Sequence, residues 1–244
     1  MLRFYGELTD FLPRKVRTAT VGVPDGPSVK DRIEACGVPH PEVHLIIVNG
    51  EPAGFDHHLA PGDRVAVYPV FRSLEVECLL RPDHSGDRFV IDVNLGRLAK
   101  YLRLLGFDAV SDGRLDDRDL AELAAAEERI LLTRDRHLLK RSVVVHGYLV
   151  REVMPVAQAA EVVRRFDLAD RIAPFARCME CNGVIAAVSK AEVDHLLEPL
   201  TREHFEDFRR CPGCGRVFWR GSHFDRLMAV VERIRRSVDC PARR

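Results

Sequence analysis

Hydrophobic positions along the chain fall into three kinds of pattern. In the first, short apolar runs alternate with turn residues. "MLRFYGEL" and "TATVGV" predict two strands joined by a polar turn around Pro13 to Lys15. Ser28 is placed to cap a short helix, "SVKDRIEACG", which Gly37 ends. "VHLIIVNGEP" predicts a third strand running into an Asn-Gly turn, and "DRVAVYPVF" a fourth after the Pro-Gly turn at residues 61 and 62.

A hydrophilic joint, "RPDHSGDR", separates this module from a stretch in which strand and helix patterns alternate. Strand "RFVI" precedes helix "LGRLAKYLRLLG", strand "FDAV" and helix "DDRDLAELAAAEE". Strand "RILLT", short helix "RDRHLLKR", strands "SVVVH" and "GYLV", and helix "PVAQAAEVVRRFD" follow. Such alternation predicts a parallel sheet covered on both faces, with functional groups gathered at the carboxyl ends of its strands. From about Pro174 the periodicity gives way to paired cysteines, then to a helical stretch, "DRLMAVVERIRRSV". The domains predicted are residues 1–73, 87–173 and 174–244.

Composition changes this picture little. The chain is 46% hydrophobic and 30% charged, as in soluble globular proteins, and it has no apolar run of bilayer length. The N-terminus has acids where a secretion signal needs an apolar core, so a cytoplasmic protein that keeps off membranes is expected. Lys plus Arg equals Asp plus Glu, 37 against 37, so any nucleic-acid surface must be local.

Of seven cysteines, Cys36, Cys78 and Cys240 are scattered, while "CMEC" (Cys178, Cys181) and "CPGC" (Cys211, Cys214) form two pairs separated by 29 residues. Two such knuckles complete a tetrahedral, four-thiolate zinc site, closed to water and therefore structural. Gly183 and Gly215 follow the second cysteine of each pair, where a knuckle needs positive φ. Redox-active pairs are the rival reading, but neither pair opens a helix after a strand. Beyond the second pair, "GRVFWRGSH" interleaves Phe218 and Trp219 with Arg216, Arg220 and His223. That pattern suits stacking and phosphate contact with a single strand; rings packed into the ribbon core are the other reading.

Asp92 ends the strand "RFVI", and Asp135 follows "ILLT". Asp116, Asp117 and Asp119 open the helix between them. Each acid can be a helix cap, although Asn94 could cap in place of Asp92. The alternative is convergence on a hard cation, Mg²⁺ or Mn²⁺, which holds carboxylates together and activates water for phosphodiester hydrolysis. Counted at about 100° per residue, Leu95, Leu98, Ala99, Leu102 and Leu105 share an apolar face. Arg97, Lys100 and Arg103 fall on the other side, either as a solvated face or as a grip for a phosphate backbone. Arg134, Arg136, Lys140 and Arg141 add positive charge near Asp135.

Two resemblances sharpen these expectations. The first module has the strand and helix order of a β-grasp, or ubiquitin-like, fold. Its "VNGEPAGFDHHLAPGDRVAVYPV" resembles the sulfur-carrier proteins of thiamine and molybdopterin synthesis. Those carriers end in Gly-Gly, whereas this chain continues "YPVFRSLEVE", so a module that docks a protein partner or presents substrate is expected in place of a carrier, with a purely structural appendage as the other reading.

"DVNLGRLAKYLRLLGFD", "DDRDLAELAAAEERILLTRDRHLL", "RCMECNG" and "CPGCGRVFWRGSH" resemble the Mut-seven C-terminal RNase domain family, PIN-like nucleases followed by a zinc ribbon. The resemblance implies an α/β chain with an N-terminal β-grasp, a central PIN-like parallel-sheet domain and a C-terminal zinc ribbon. It also implies RNA as substrate and catalytic Mg²⁺ or Mn²⁺. By motif, Asp92 is the acid ending the first strand and Asp135 the acid of the Thr-x-Asp signature. Asp117 opens the preceding helix, with Asp116 and Asp119 as alternates. A further acid that PIN domains carry on a middle helix has no clear counterpart. The rival expectation is an RNA-binding or adaptor protein that does no catalysis.

Overall fold

The computed structural model describes residues 1–13, 18–19, 26–71, 80 and 86–239. Packing divides the chain into two compact units, each built from two stretches: Met1–Gly86 with Leu115–Leu149, and Asp87–Arg114 with Val150–Arg244. Most of the expected joint at residues 81–88, part of "TATVGV", the turn beyond Pro13, and Cys78 and Cys240 lie outside the described residues.

The first unit opens with β1 (Leu2–Phe4), β2 (Thr18–Ala19), α1 (Val29–Ala35), β3 (Leu45–Val48), β4 (Glu51–Pro52) and β5 (Val65–Tyr68). Their sheet runs β2-β1-β5-β3-β4, with β1 parallel to β5 and the other pairs antiparallel. This is the expected β-grasp. Alternating positions of β1 and β5 turn Leu2, Phe4, Val65 and Val67 inward against Val29 and Ile33 of α1. Ser28 and Asp31 form a reciprocal capping box at the start of α1. Asn49 (φ 52°) and Gly50 (φ 101°) make the tight turn between β3 and β4. The first strand is shorter than expected: Gly6 takes φ 53°, and Gly6–Phe11 winds into a 3₁₀ helix.

Chain order continues with β6 (Arg88–Ile91), α2 (Gly96–Leu104), β7 (Asp108–Val110), α3 (Asp117–Ala126), β8 (Ile130–Thr133), α4 (Arg136–Leu139), β9 (Gly147–Leu149) and α5 (Pro155–Arg165). Strands β6 and β7 of the second unit pair in parallel, as do β8 and β9 of the first. One expected strand is missing. "SVVVH", residues 142–146, is a turn in which the Val144 N–H bonds to Arg141 O (3.0 Å) while Val143 and Val145 face outward. Local β-propensity yields there to the need to connect α4 with β9.

Within the first unit the β-grasp module is fastened to the segment from α4 to β9. Buried His40 places Nδ1 2.6 Å from Glu34 Oε1 and Nε2 2.7 Å from Val144 O. The fully buried Glu42 carboxylate accepts from the Leu149 N–H (2.7 Å). Arg136 lies over the Phe11 ring, and Lys140 donates to Glu34 O (2.5 Å). Two of the cations expected to enrich the surroundings of Asp135 therefore bind the β-grasp module instead.

In the second unit, Phe89 of β6 meets Phe107 and Phe166 edge-on beneath α2 and α5. Helix α8 (Ser222–Asp239) lies against α5, with Val231 and Ile234 fully buried. Between α5 and α8 come β10 (Ala186–Val188), α6 (Lys190–Val193), α7 (Pro199–His204), β11 (Phe208–Arg210) and β12 (Val217–Phe218). The three strands form an antiparallel sheet in the order β10-β11-β12. No helix among the described residues is long and apolar enough to cross a membrane.

Candidate metal centre and carboxylate positions

The ligand atoms of Cys178, Cys181, Cys211 and Cys214 lie within 4.8 Å of one another. Sulfur separations of 3.7 Å (Cys178–Cys214) and 3.3 Å (Cys181–Cys211) approach the roughly 3.8 Å between thiolates held tetrahedrally about 2.3 Å from a zinc ion. The two turns that carry them match. Cys178 N–H bonds to Gly183 O and Asn182 N–H to Cys178 O; Cys211 N–H bonds to Arg216 O and Gly215 N–H to Cys211 O. Each turn needs a left-handed residue directly after its second cysteine. Gly215 (φ 74°) fills that place as expected, but in the first turn it is Asn182 (φ 69°) and not Gly183. Gly183 is required for another reason: a Cβ there would stand 2.9 Å from Cys211 Sγ.

The thiols are electrostatically unequal. Burial pushes Cys178 up. The Gly183 N–H favours the Cys181 thiolate, but burial and bonds to the neighbouring sulfurs outweigh it and push Cys181 up to about 12. Burial also opposes ionisation of Cys211, yet the N–H groups of Cys214 and Gly213 and the neighbouring thiols bring it down to about 7. Crowded sulfurs that cannot all ionise together are what a cation relieves.

The first turn is bolted to α2 and β7. Asn182 Oδ1 accepts from the Ala109 N–H (3.0 Å), and its Nδ2 donates to Asp108 Oδ1 (2.7 Å). Arg103, only 6% exposed, donates through Nε to Ala109 O (2.7 Å) and through Nη1 to Met179 O (3.0 Å) and Glu180 O (2.7 Å). Lys100 pairs with Glu180 at 3.0 Å, which holds the Glu180 carboxyl below its usual range. This corrects the helical-face expectation. Arg103 does not face solvent, because the chain returns after α5 and lays the cysteine turn over that side of α2; of the three cations, Arg97 is exposed without a partner among the described residues. Asn182 was missed in the sequence, although Asn tolerates positive φ and directly follows a cysteine pair.

Each candidate acid stands where expected along its strand or helix, and each strand-end acid caps the turn after it. Asp92, buried at the carboxyl end of β6, accepts from Asn94 N–H (3.0 Å), so Asp92 is itself the cap, a role the sequence allowed to Asn94. Asp135, just past β8, accepts from His137 N–H (2.7 Å), and its own N–H is held by Thr133 Oγ1 (2.9 Å). Asp116 caps α3 through the N–H groups of Asp119 and Arg118, which lower its pKa. Asp117 and Asp119 are exposed in the first turn of α3.

The Mut7-C RNAse domain model matches residues 87–231, more than half of the chain. The chain belongs to the Mut7-C RNAse domain family. A second model, the Mut7-C ubiquitin domain, matches residues 1–75, the β-grasp module. No curated protein and no solved structure matches the chain. A Mut7-C RNAse domain member is expected to act as a nuclease, and four cysteines near its C-terminus can bind zinc.

Proposed function

We propose that this Mut7-C protein is a metal-dependent ribonuclease stapled by a structural zinc at Cys178, Cys181, Cys211 and Cys214. The observation that carries the reading is that Asp92 and Asp135 each occupy the carboxyl end of a parallel strand in a chain of an RNAse domain family. Functional groups of parallel sheets collect at the carboxyl ends of their strands. Asp92, Asp135 and Asp117, with Asp116 and Asp119 as alternates, supply hard oxygen donors suited to Mg²⁺ or Mn²⁺. Such a cation, when bound, activates a water and offsets charge on the phosphodiester. Each capping bond uses one carboxylate oxygen and fixes the side chain's direction. Arg97 and Arg134, both exposed, are placed to hold the RNA backbone, whereas Lys100 and Arg103 brace the metal turn.

Labelled single-stranded RNA incubated with Mn²⁺ tests this. Cleavage is expected from the wild type and not from Asp92→Asn. Asn caps about as well as Asp, so this substitution removes a metal-binding charge with little effect on the turn. Undiminished cleavage by Asp92→Asn would refute the assignment. The capping bonds favour a second reading, an RNA-binding or adaptor protein without catalysis. It predicts no cleavage and unchanged Mn²⁺ affinity in the variant.

A further inference from the structure

Between the ribbon sheet and α8 lies a cleft of ≈ 1020 Å³. This is at the upper end of small-molecule pockets, roughly 300–1,000 Å³. It has an aromatic floor. Phe175 stacks on Phe224 with centroids 4.5 Å apart, and the Arg220 guanidinium lies 5.7 Å over the Phe224 ring. Trp219 differs from these. It is 39% exposed and stacks on no other ring among the described residues. Its indole edge rests on the backbone at Gly221, where a Cβ would come within 3.0 Å of Nε1. The ring thus lies close to the chain on its Nε1–Cδ1 side and is more than a third exposed.

Charge around the cleft is one-sided. Its Lys and Arg residues are Lys100, Arg177, Arg209, Arg216, Arg220 and Arg235, six in all, against three acids, Glu180, Glu206 and Asp207. Glu180 already receives Lys100 and Arg216. Arg177 is paired with Asp108 and Arg235 with Glu232, so the excess left to the cleft is Arg209 and Arg220. Arg209 is exposed, lies directly across from Phe218 in the sheet, and has no side-chain partner among the described residues. An exposed indole in the same cleft as the unpaired Arg209 and the ring-stacked Arg220 suits a flat aromatic carrying an anion.

We infer that this cleft binds an unpaired segment of RNA, a base stacking on Trp219 and its phosphates meeting Arg209 and Arg220. The inference rests on the ribonuclease reading and gives it a substrate-holding site on the ribbon. Trp219 is the only tryptophan of the chain, so its emission reports on this cleft alone.

The full-length, zinc-loaded protein is titrated with a labelled oligouridine, with neither Mn²⁺ nor chelator added. RNA anisotropy and tryptophan emission are followed together. Emission should be quenched over the same concentration range in which anisotropy rises. Trp219→Ala should weaken binding at least about fivefold, the low end for loss of one base–aromatic stack. Trp219→Phe should bind nearly as the wild type does. Arg209→Glu, an exposed position that leaves the fold alone, should weaken binding and flatten its salt dependence.

RNA binding with unaltered emission, or binding indifferent to Arg209→Glu, overturns the inference, as does quenching by an acidic phosphopeptide and not by RNA. The two readings fail separately. Mn²⁺-dependent cleavage with unaltered emission sinks the cleft alone, whereas quenching without any cleavage sinks the nuclease and leaves the cleft.

Discussion

Arg103 was expected to grip a phosphate backbone and is instead buried beneath the cysteine turn, which makes Arg103→Met a decisive substitution. Methionine keeps much of the side-chain volume and removes every donor. Three carbonyls lose a charged partner: Ala109 O, Met179 O and Glu180 O. A hydrogen bond to a charged group contributes about 1.5–3 kcal/mol, and such losses within one cluster do not add fully. Burial itself works against the guanidinium and lowers its pKa, which offsets part of the gain. A net cost of about 3 kcal/mol follows, a large share of the roughly 5–15 kcal/mol that keeps a domain folded. At about 2–4 °C per kcal/mol for a chain of this size, the melting temperature should fall by roughly 6–12 °C.

The assay pairs thermal unfolding with the rate of zinc release to a chromogenic chelator. Because Met179 and Glu180 lie between the first two cysteines, the variant should release its metal faster. Arg103→Lys should rescue little, since one ammonium cannot span carbonyls that the guanidinium fork reaches together. If Arg103→Met melts and releases zinc as the wild type does but binds RNA more weakly, the bracing role is wrong and the phosphate grip is right.

Three further outcomes follow from the same geometry. Gly183→Ala brings a methyl to 2.9 Å from Cys211 Sγ, so it should loosen the metal and lower the zinc content of purified protein, while Gly50→Ala, whose Cβ meets nothing within 4 Å, should leave the zinc unchanged. Glu42→Leu strips the acceptor from the half-buried Leu149 N–H, and a loss of about 1–3 kcal/mol in unfolding free energy, read from urea titration, is expected. Acid should erode stability: Asp63, Asp112, Asp116, Glu180 and Glu192 all have pKa values lowered in the folded chain, so the unfolded chain binds more protons. That contribution is complete above about pH 5 and is lost as pH falls through the carboxylate range toward about 2, where Asp112 titrates. Urea midpoints at pH 3 and pH 7 should therefore differ, and equal midpoints would contradict the assignment.

Sequence pattern carried far where an element's contacts are local or periodic. The cap at Ser28, the Asn49-Gly50 turn and the spacing of the cysteines depend on neighbours a few residues away, and each stands in the structure as expected. The apolar face of α2 was legible too, with Leu95, Leu98, Ala99, Leu102 and Leu105 all buried. Failures cluster where the deciding partner is remote in the chain. Nothing near Arg103 announces that Met179 and Glu180, more than seventy residues later, will cover it. Val143 and Val145 have strand chemistry, yet their segment is taken up by the turn that connects α4 with β9.

The acids show the limit most sharply, because a capping bond and a metal ligand call for the same residue at the same place. Asp92 and Asp135 each cap through one carboxylate oxygen, and a carboxylate has two oxygens, each able to accept more than one bond. Asn preserves the cap and loses the charge. Substituting Asn at both positions therefore separates two roles that neither sequence nor hydrogen bonding can separate. A chain that stays folded and loses Mn²⁺-dependent cleavage has used these carboxylates for chemistry. One that stays folded and still cleaves has used them only to start its helices.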